Sequence, residues 1–249
     1  MTTRRNILKG GAGLAAILAS GKAPAALVKS MLAARNSIGM KSGGAKIQYD
    51  DEVDYLESTG TQWIDTGVIP NGVKSTIDFA LTQVKSGQIA GCHNPNNQRY
   101  YPLEVSGNPL RFRRVDRFDN GSYVGTADTN RHTSIYYYDG GKASFDGAES
   151  QSSNYAISSA IYNCILFGIT RGGVFSTDNA IPMKIFGCKM EKDGVVLRDY
   201  IPVRFTNELG QSEGAMYDRV SGELDPFRNQ GTGAFLWGHD AAAQNGGGV

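Results

Sequence analysis

The sequence predicts an all-β domain, a sandwich or a barrel, between residues 51 and 240. Within this span no apolar run keeps the 3.6-residue period of a helix. Short runs instead alternate apolar and polar residues with a period of two, and Gly, Asn and Asp separate them. Glycine contributes 32 of the 249 residues, which is enough for many tight turns. Many short strands joined by such turns are typical of antiparallel sandwiches and barrels.

The first 25 residues are similar to an export signal of the twin-arginine type. Residues 2–9 read TTRRNILK, which follows the pattern Ser/Thr-Arg-Arg-x-Phe-Leu-Lys with Ile7 in place of the Phe. The apolar run at residues 10–21 is too short and too rich in glycine to span a bilayer as a stable helix. An A-x-A site then occupies residues 23–25. This order predicts an exported protein, located in the periplasm, at the cell surface or outside the cell.

Residues 26–50 are predicted to form an amphipathic helix followed by a flexible linker. The apolar residues of APAALVKSMLAARNSIGM recur at helical spacing, and KSGGAK supplies the linker. A cleaved signal does not require this second amphipathic stretch. An alternative is therefore that the N-terminal segment stays attached and assembles a virion or a surface appendage, in which case the chain could be a homo-oligomer. Residues 241–249 are predicted to be a disordered tail.

A first hairpin is predicted around Gly107-Asn108. With a two-residue loop, the opposed pairs are Val105 with Leu110, Leu103 with Phe112 and Glu104 with Arg111. The apolar pairs then share one face and the opposite-charge pair occupies the other, so both faces agree on one register. Pro102 and Pro109 cannot donate ladder hydrogen bonds, which predicts an edge position or a bulge.

Two further turns are predicted, at residues 139–141 and at Asp193-Gly194. The second turn joins PMKIFGCKMEK to VVLRDYIPVR. The opposed pairs are Met190 with Leu197 and Phe186 with Ile201, and Pro202 is expected to end the pairing.

Four segments resemble, in order, parts of one family of domains. They are YLESTGTQWIDTG (55–67), HTSIYYYDGGKASFDG (132–147), LRDYIPVR (197–204) and YDRVSGELDPFRNQGTGAF (217–235). Together they are similar to the concanavalin A-like, laminin-G-like jelly rolls of gut-bacterial and phage proteins. One departure is LDPFRNQG, where related sequences tend to carry a shorter Phe-Gly-Asn step.

The resemblance implies a two-sheet antiparallel jelly-roll sandwich of the concanavalin A-like type, with a concave face, over residues 51–240. Domains of this kind often bind glycans or protein partners, and many have no catalytic residues. The partner expected here is therefore a glycan or a surface protein. Because one fold hosts many functions, the resemblance implies the fold more firmly than the activity.

Three carboxylates at the start of the domain have the spacing of a retaining β-glucanase site. Glu52, Asp54 and Glu57 follow the pattern Glu-x-Asp-x-x-Glu, in which a bulge would bring the last Glu onto the face of the first. In laminarinase-like enzymes of this fold the motif lies on a central strand in the middle of the domain. Here it follows a flexible linker within a charge run, which favours a solvated edge. A non-enzymatic domain is therefore expected, and a glycoside hydrolase is the remote alternative.

A glycan site is predicted from aromatic and basic residues in adjacent strands and loops. Flat rings stack on pyranose faces, and guanidinium groups donate hydrogen bonds to hydroxyls. NPNNQRYY and LRFRRVDRFDNGSY supply both types, and Tyr100, Arg111, Arg113 and Tyr123 are the candidate ligand-binding residues. The alternatives are that these residues only decorate a solvated edge or form a protein interface.

The net charge of +1 excludes a general binder of nucleic acid or of anionic membranes, and no segment is predicted to span a membrane. The residues predict no cofactor and no metal site, although calcium could bind at turn segments such as DNGSY, YYYDGG and STDN. The scattered His93, His132 and His239 predict neither a metal site nor a triad. The three cysteines, Cys92, Cys164 and Cys188, are expected to be buried free thiols, with a Cys164–Cys188 disulfide as the alternative.

Overall fold

The computed structural model describes residues 49–93, 99–117, 120–137, 143–150, 160–176, 180–224 and 227–239. In these ranges the chain is built of strands and contains no helix. It therefore offers no helix, within the described residues, that is long and apolar enough to cross a membrane. The segments predicted as export signal, amphipathic helix, linker and tail lie outside the described residues.

The strands form two sheets. The ten strands of the larger sheet are β1 (Asp51–Glu52), β2 (Tyr55–Ser58), β4 (Lys74–Leu81), β9 (Arg131–Tyr137), β10 (Ala143–Phe145), β11 (Ala148–Ser150), β15 (Met183–Lys192), β16 (Val195–Thr206), β17 (Ser212–Asp218) and β18 (Leu236–Gly238). The eight strands of the smaller sheet are β3 (Ile64–Asp65), β5 (Gly87–His93), β6 (Arg99–Ser106), β7 (Arg111–Arg117), β8 (Asn120–Thr126), β12 (Ile165–Leu166), β13 (Thr170–Arg171) and β14 (Val174–Phe175).

Both sheets are built mainly of antiparallel pairs. The larger sheet has the order β1-β16-β15-β4-β9-β10-β11; β17 also pairs with β16, and β2 pairs with β15 and β18. The smaller sheet has the order β14-β13-β5-β6-β7-β8, with β12 pairing with β3 and β5. The pairing of β13 with β5 is parallel. The predicted all-β architecture of two antiparallel sheets is confirmed.

The two sheets share one hydrophobic core. On β4, Ile77 and Phe79 are buried whereas Thr76 and Asp78 are partly exposed, as expected for a strand with one face on the core. Phe79 meets Phe112 of β7 edge-on, with ring centroids 5.6 Å apart, and neither side chain is exposed. Each such buried side chain contributes roughly 1.5–3 kcal/mol. The core therefore fixes which face of β7 points away from the larger sheet.

The first predicted hairpin exists, but its register differs from the predicted one. The turn spans residues 107–110, and Val105 pairs with Phe112 while Glu104 pairs with Arg113. The two-residue loop was wrong because Pro109, which has no amide hydrogen, stays in the turn instead of joining the ladder. The shift is two residues, so every side chain keeps its predicted face.

The hairpin at Asp193-Gly194 is confirmed, and both turn residues have positive φ. A bulge between Met190 and Glu191 changes the register, so Met190 pairs with Arg198 rather than with Leu197. The pairing of β15 with β16 ends at Cys188 and Tyr200, before the predicted pair of Phe186 with Ile201. Pro202 does not end β16, which continues alongside β17 to Thr206. The predicted turn at 139–141 lies outside the described residues.

Three of the four segments that carry the family resemblance meet through buried or partly buried hydrogen bonds. The carbonyl oxygen of Thr66 accepts hydrogen bonds from the Tyr200 hydroxyl at 2.8 Å and from Nε of Arg198 at 3.2 Å. The fully buried carboxylate of Asp218 accepts a hydrogen bond from the Asp199 amide at 2.9 Å and lies 3.6 Å from Nη1 of Arg198. These motif residues hold distant strands together, which is a structural role.

Candidate binding site on the smaller sheet

Four side chains form a row across the smaller sheet, which we call the polar row: Gln88, Glu104, Arg113 and Tyr123. They lie on β5, β6, β7 and β8 respectively, and each is the direct register partner of the next. Because Val105 and Phe112 face the core, their neighbours along each strand point to the opposite face. The row therefore lies on the outward face of the sheet.

The carboxylate of Glu104 anchors the polar row. Its side chain is only 2% exposed, yet it accepts hydrogen bonds from Nε2 of Gln88 at 2.7 Å, Nη1 of Arg113 at 3.0 Å and Oγ of Ser106 at 3.3 Å. A buried carboxylate is tolerated only when it is paired and hydrogen-bonded, and removing one partner of such a pair costs roughly 3–5 kcal/mol. Arg113 therefore serves as an ionic partner of the Glu104 carboxylate.

Arg111 and Tyr123 form the exposed end of the site. The Arg111 guanidinium carbon lies 3.8 Å from the centroid of the Tyr123 ring, and that of Arg113 lies 5.8 Å from it. Tyr123 is still 41% exposed. A Cβ on Gly107 would lie 3.0 Å from the Tyr123 hydroxyl, so a glycine in this turn leaves room for the ring. The Arg111 guanidinium thus lies over one face of the Tyr123 ring, and the exposed remainder of the ring adjoins its N–H donors.

The structure thus brings together three of the four predicted ligand-binding residues: Arg111, Arg113 and Tyr123. Tyr100 lies on β6 as the register partner of Cys92, and its side chain is not among those described. The predicted partner of Glu104 was Arg111, whereas in the structure Glu104 forms an ion pair with Arg113.

Gln88 was not predicted as part of the site. Counting residues from the connection could not have given its register, because two irregularities interrupt the pairing of β5 with β6, one between Gln88 and Ala90 and one between Ala90 and Cys92.

The three carboxylates at the start of the domain do not pair with one another in the contacts observed. Glu52 lies on β1, at one edge of the larger sheet, where it accepts a hydrogen bond from the Tyr49 hydroxyl at 2.9 Å and lies 3.8 Å from Arg219. The bond to Glu52 raises the pKa of Tyr49. Asp54 lies 3.7 Å from His239. Glu57 lies on β2, between β15 and β18.

His132 is held between two carboxylates. Its Nδ1 lies 2.7 Å from Oδ2 of Asp146, and its Nε2 lies 2.9 Å from Oδ1 of Asp128. The ring is buried and packs edge-on against Phe112 at 4.8 Å. Both ring nitrogens thus face a carboxylate oxygen within hydrogen-bond distance. His132 thus packs at the start of β9.

No cluster of three or more His, Cys, Asp or Glu residues that could hold a metal ion occurs in the part of the chain that the structure describes. Each of the three turn segments considered for calcium lies partly outside that part.

Cys92, Cys164 and Cys188 are buried free thiols, as predicted, and the alternative disulfide between Cys164 and Cys188 is not formed. Burial raises the pKa of Cys92 and of Cys188 to about 12, and it raises the pKa of Cys164 well above its usual value. The thiols are therefore poor nucleophiles and poor metal ligands in the native state.

Comparison with known proteins adds no functional indication. The chain matches no family model, and no curated protein is significantly similar to it. The chemistry of the polar row and of the Arg111–Tyr123 pair is therefore the main guide to function.

Proposed function

We propose that this domain is a non-catalytic carbohydrate-binding or adhesive module with a concanavalin A-like jelly-roll fold. The observation that carries the proposal is the exposed Tyr123 ring beside Arg111 and Arg113 on the outward face of the smaller sheet. An aromatic ring can stack on the apolar face of a pyranose, and guanidinium N–H groups can donate to its hydroxyls. Such binding is shallow and needs no covalent step.

The contacts of the N-terminal carboxylates support a function without hydrolysis. Retaining glycosidases need two carboxyl groups roughly 5–5.5 Å apart, one as nucleophile and one as acid/base. Glu52 instead contacts Tyr49 and Arg219, and Asp54 lies near His239. A β-glucanase acting through Glu52 and Glu57 is therefore the less supported proposal.

The proposed location is outside the cytoplasm, because the N-terminal residues are similar to a twin-arginine export signal. A structural subunit of a virion or surface appendage is the alternative. It is favoured by the helical spacing within residues 26–50, which a cleaved signal does not require. Mass spectrometry of the protein from its native host separates the two, because retention of residues 1–20 would contradict export by this route.

A glycan array probed with the full chain at near-physiological salt tests the proposal. We expect binding to at least one glycan class, and we expect Tyr123→Ala to weaken it about tenfold through loss of ring stacking, equivalent to about 1.4 kcal/mol. Tyr49→Ala is the matched control, because Tyr49 packs on Tyr217 at the larger sheet. Absence of binding by folded protein would overturn the proposal, and equal losses in both variants would remove Tyr123 from the site.

A further inference from the structure

The described side chains of the site include two guanidinium groups, Arg111 and Arg113, and one carboxylate, Glu104. Glu104 and Arg113 form an ion pair in which the carboxylate side chain is 2% exposed and the arginine side chain 15% exposed. Arg111 lies on the same face and is exposed; its guanidinium lies over the Tyr123 ring, and it makes no ion pair or side-chain hydrogen bond with the described residues. The site therefore carries one guanidinium whose charge no carboxylate of the described chain compensates.

The position of Arg111 suits the capture of a planar anion. A guanidinium donates from N–H groups that lie in its own plane, and two parallel N–H groups match the two oxygens of a carboxylate. Contact with the Tyr123 ring restricts the guanidinium and so reduces the entropy that is lost when it binds. A sugar ring on the exposed part of Tyr123 would place its substituents close to Arg111.

We propose that the ligand is an acidic saccharide whose ring carboxylate binds Arg111 while its pyranose ring stacks on Tyr123. This inference rests on the proposed carbohydrate-binding function and names the class of sugar. A carboxylated sugar fits better than a sulfated one, because the two oxygens of a planar carboxylate match two parallel N–H groups of the Arg111 guanidinium. Neutral sugars would leave Arg111 without an anionic partner.

The direct test compares one oligosaccharide in two charge states. Isothermal titration of the full chain with an oligogalacturonide and with its fully methyl-esterified form changes the charge but not the sugar ring. An array that carries other uronic acids, sulfated saccharides and neutral counterparts extends the comparison to other sugars. We expect a carboxylated saccharide to bind at least tenfold more tightly than its ester or neutral counterpart, with a preference that weakens as salt is raised.

Variants at Arg111 assign this preference to one side chain. Arg111→Gln is expected to abolish the difference between acid and ester, whereas Arg111→Lys should retain part of it, because an ammonium keeps the charge but not the bidentate geometry. Arg131→Gln is the matched control, since Arg131 is an exposed arginine of the larger sheet paired with Asp78. Circular dichroism confirms that each variant is folded.

The outcomes separate this inference from the proposed function. Equal binding of acid and neutral forms, or an acid preference that survives Arg111→Gln, would overturn the acidic ligand and leave a carbohydrate-binding module. Binding confined to sulfated saccharides would also overturn it. If folded protein binds no saccharide at all, the proposed function fails first and this inference fails with it.

Discussion

At the residue scale, Gly231 shows how closely two distant segments approach. A Cβ at this position would overlap the carbonyl oxygen of Thr61, and the backbone of Thr232 donates a hydrogen bond to the same oxygen at 3.2 Å. No side chain can be accommodated unless the two segments separate. Glycine is therefore required here by space, whatever its backbone angles.

We expect Gly231→Ala to lower the free energy of unfolding by about 3 kcal/mol, at the upper end of the usual cost of overpacking. Urea unfolding followed by tryptophan fluorescence measures the change. Gly125→Ala is the control, because a Cβ there would make only an ordinary contact, at 3.5 Å, with Phe145. Similar losses in the two variants would contradict the steric explanation.

The sequence could not reveal this requirement. Gly231 lies in the segment LDPFRNQG, which departs from the pattern of the resembling family. Its neighbour Thr61 belongs to the opening motif, at the other end of the domain. The close approach of two backbones depends on tertiary structure, so it cannot be predicted from turn residues or from hydrophobic periodicity.

At the scale of elements, the start of β9 and the turn after β10 are joined through His132. Asp146 has a positive φ of 50° in the turn with Gly147, and its carboxylate also accepts a hydrogen bond from the Thr133 amide at 2.8 Å. Asp128 approaches the ring from the other side. The His and the Asp-Gly of the resembling segment thus form one hydrogen-bonded link between neighbouring strands.

This link predicts a pH dependence of stability. Partial burial acts to raise the pKa of Asp128, but hydrogen bonds from the Asn130 amide and from His132 outweigh it and hold the pKa below its usual value. A depressed carboxyl pKa stabilises the fold above the unfolded-state value of about 3.9, and this stabilisation is lost as the pH falls through the folded-state pKa. Asp128→Asn should therefore destabilise the protein more at neutral than at acidic pH.

We expect a cost of only about 0.5–1 kcal/mol near pH 7, because solvent screens this partly exposed carboxylate. The cost should shrink as the pH falls below the unfolded-state pKa of about 3.9. Urea titrations of both proteins at the two pH values measure it. Glu208→Gln, at an exposed position after β16, is the control and should show no such pattern. A cost that is independent of pH would show that Asp128 acts only through packing.

The elements themselves were predictable where they depend on local chemistry. The turn at Asp193-Gly194 and the faces of β6 and β7 follow from turn residues and from alternation. Registers were less predictable. The bulge after Met190 lies where β15 pairs with both β16 and β4, so its position depends on two neighbours rather than on the hairpin alone.

At the scale of the whole molecule, the thiols report on global unfolding. Cys92, Cys164 and Cys188 all belong to the shared core, and burial raises their pKa values. Local opening of a surface turn does not expose them. Thiol labelling of the native protein should therefore require opening of the core.

We expect the native protein to show almost no reaction with a thiol reagent at about pH 8 and to release three equivalents once it is unfolded in urea. Leu209→Cys is the positive control, because Leu209 is 82% exposed and a thiol there should react at once. Rapid labelling of a thiol in the folded wild-type protein would contradict the buried, free state of the cysteines.

The candidate site was predictable where its residues are close along the chain, and it was not predictable where their contacts depend on strand pairing. Arg111, Arg113 and Tyr123 come from adjacent strands that follow one another along the chain, so composition alone points to them. The neutralisation of Arg113 by Glu104 requires the true register, and the position of Gln88 requires the pairing of β5 with β6. The sequence therefore predicts the residue types of the site but not which arginine forms the ion pair with Glu104.

The pairing of β2 with β18 has a mechanical consequence. Tyr55, which opens β2, faces Gly238, which closes β18, and the Asp54 amide donates a hydrogen bond to the Gly238 carbonyl at 3.0 Å. Tension applied between these two points would act at one end of an antiparallel pair and peel it open bond by bond. A domain tethered at both points would therefore unfold at low force. If it is tethered at only one of them and the load acts on the outward face of the smaller sheet, the pairing of β2 with β18 carries no such tension.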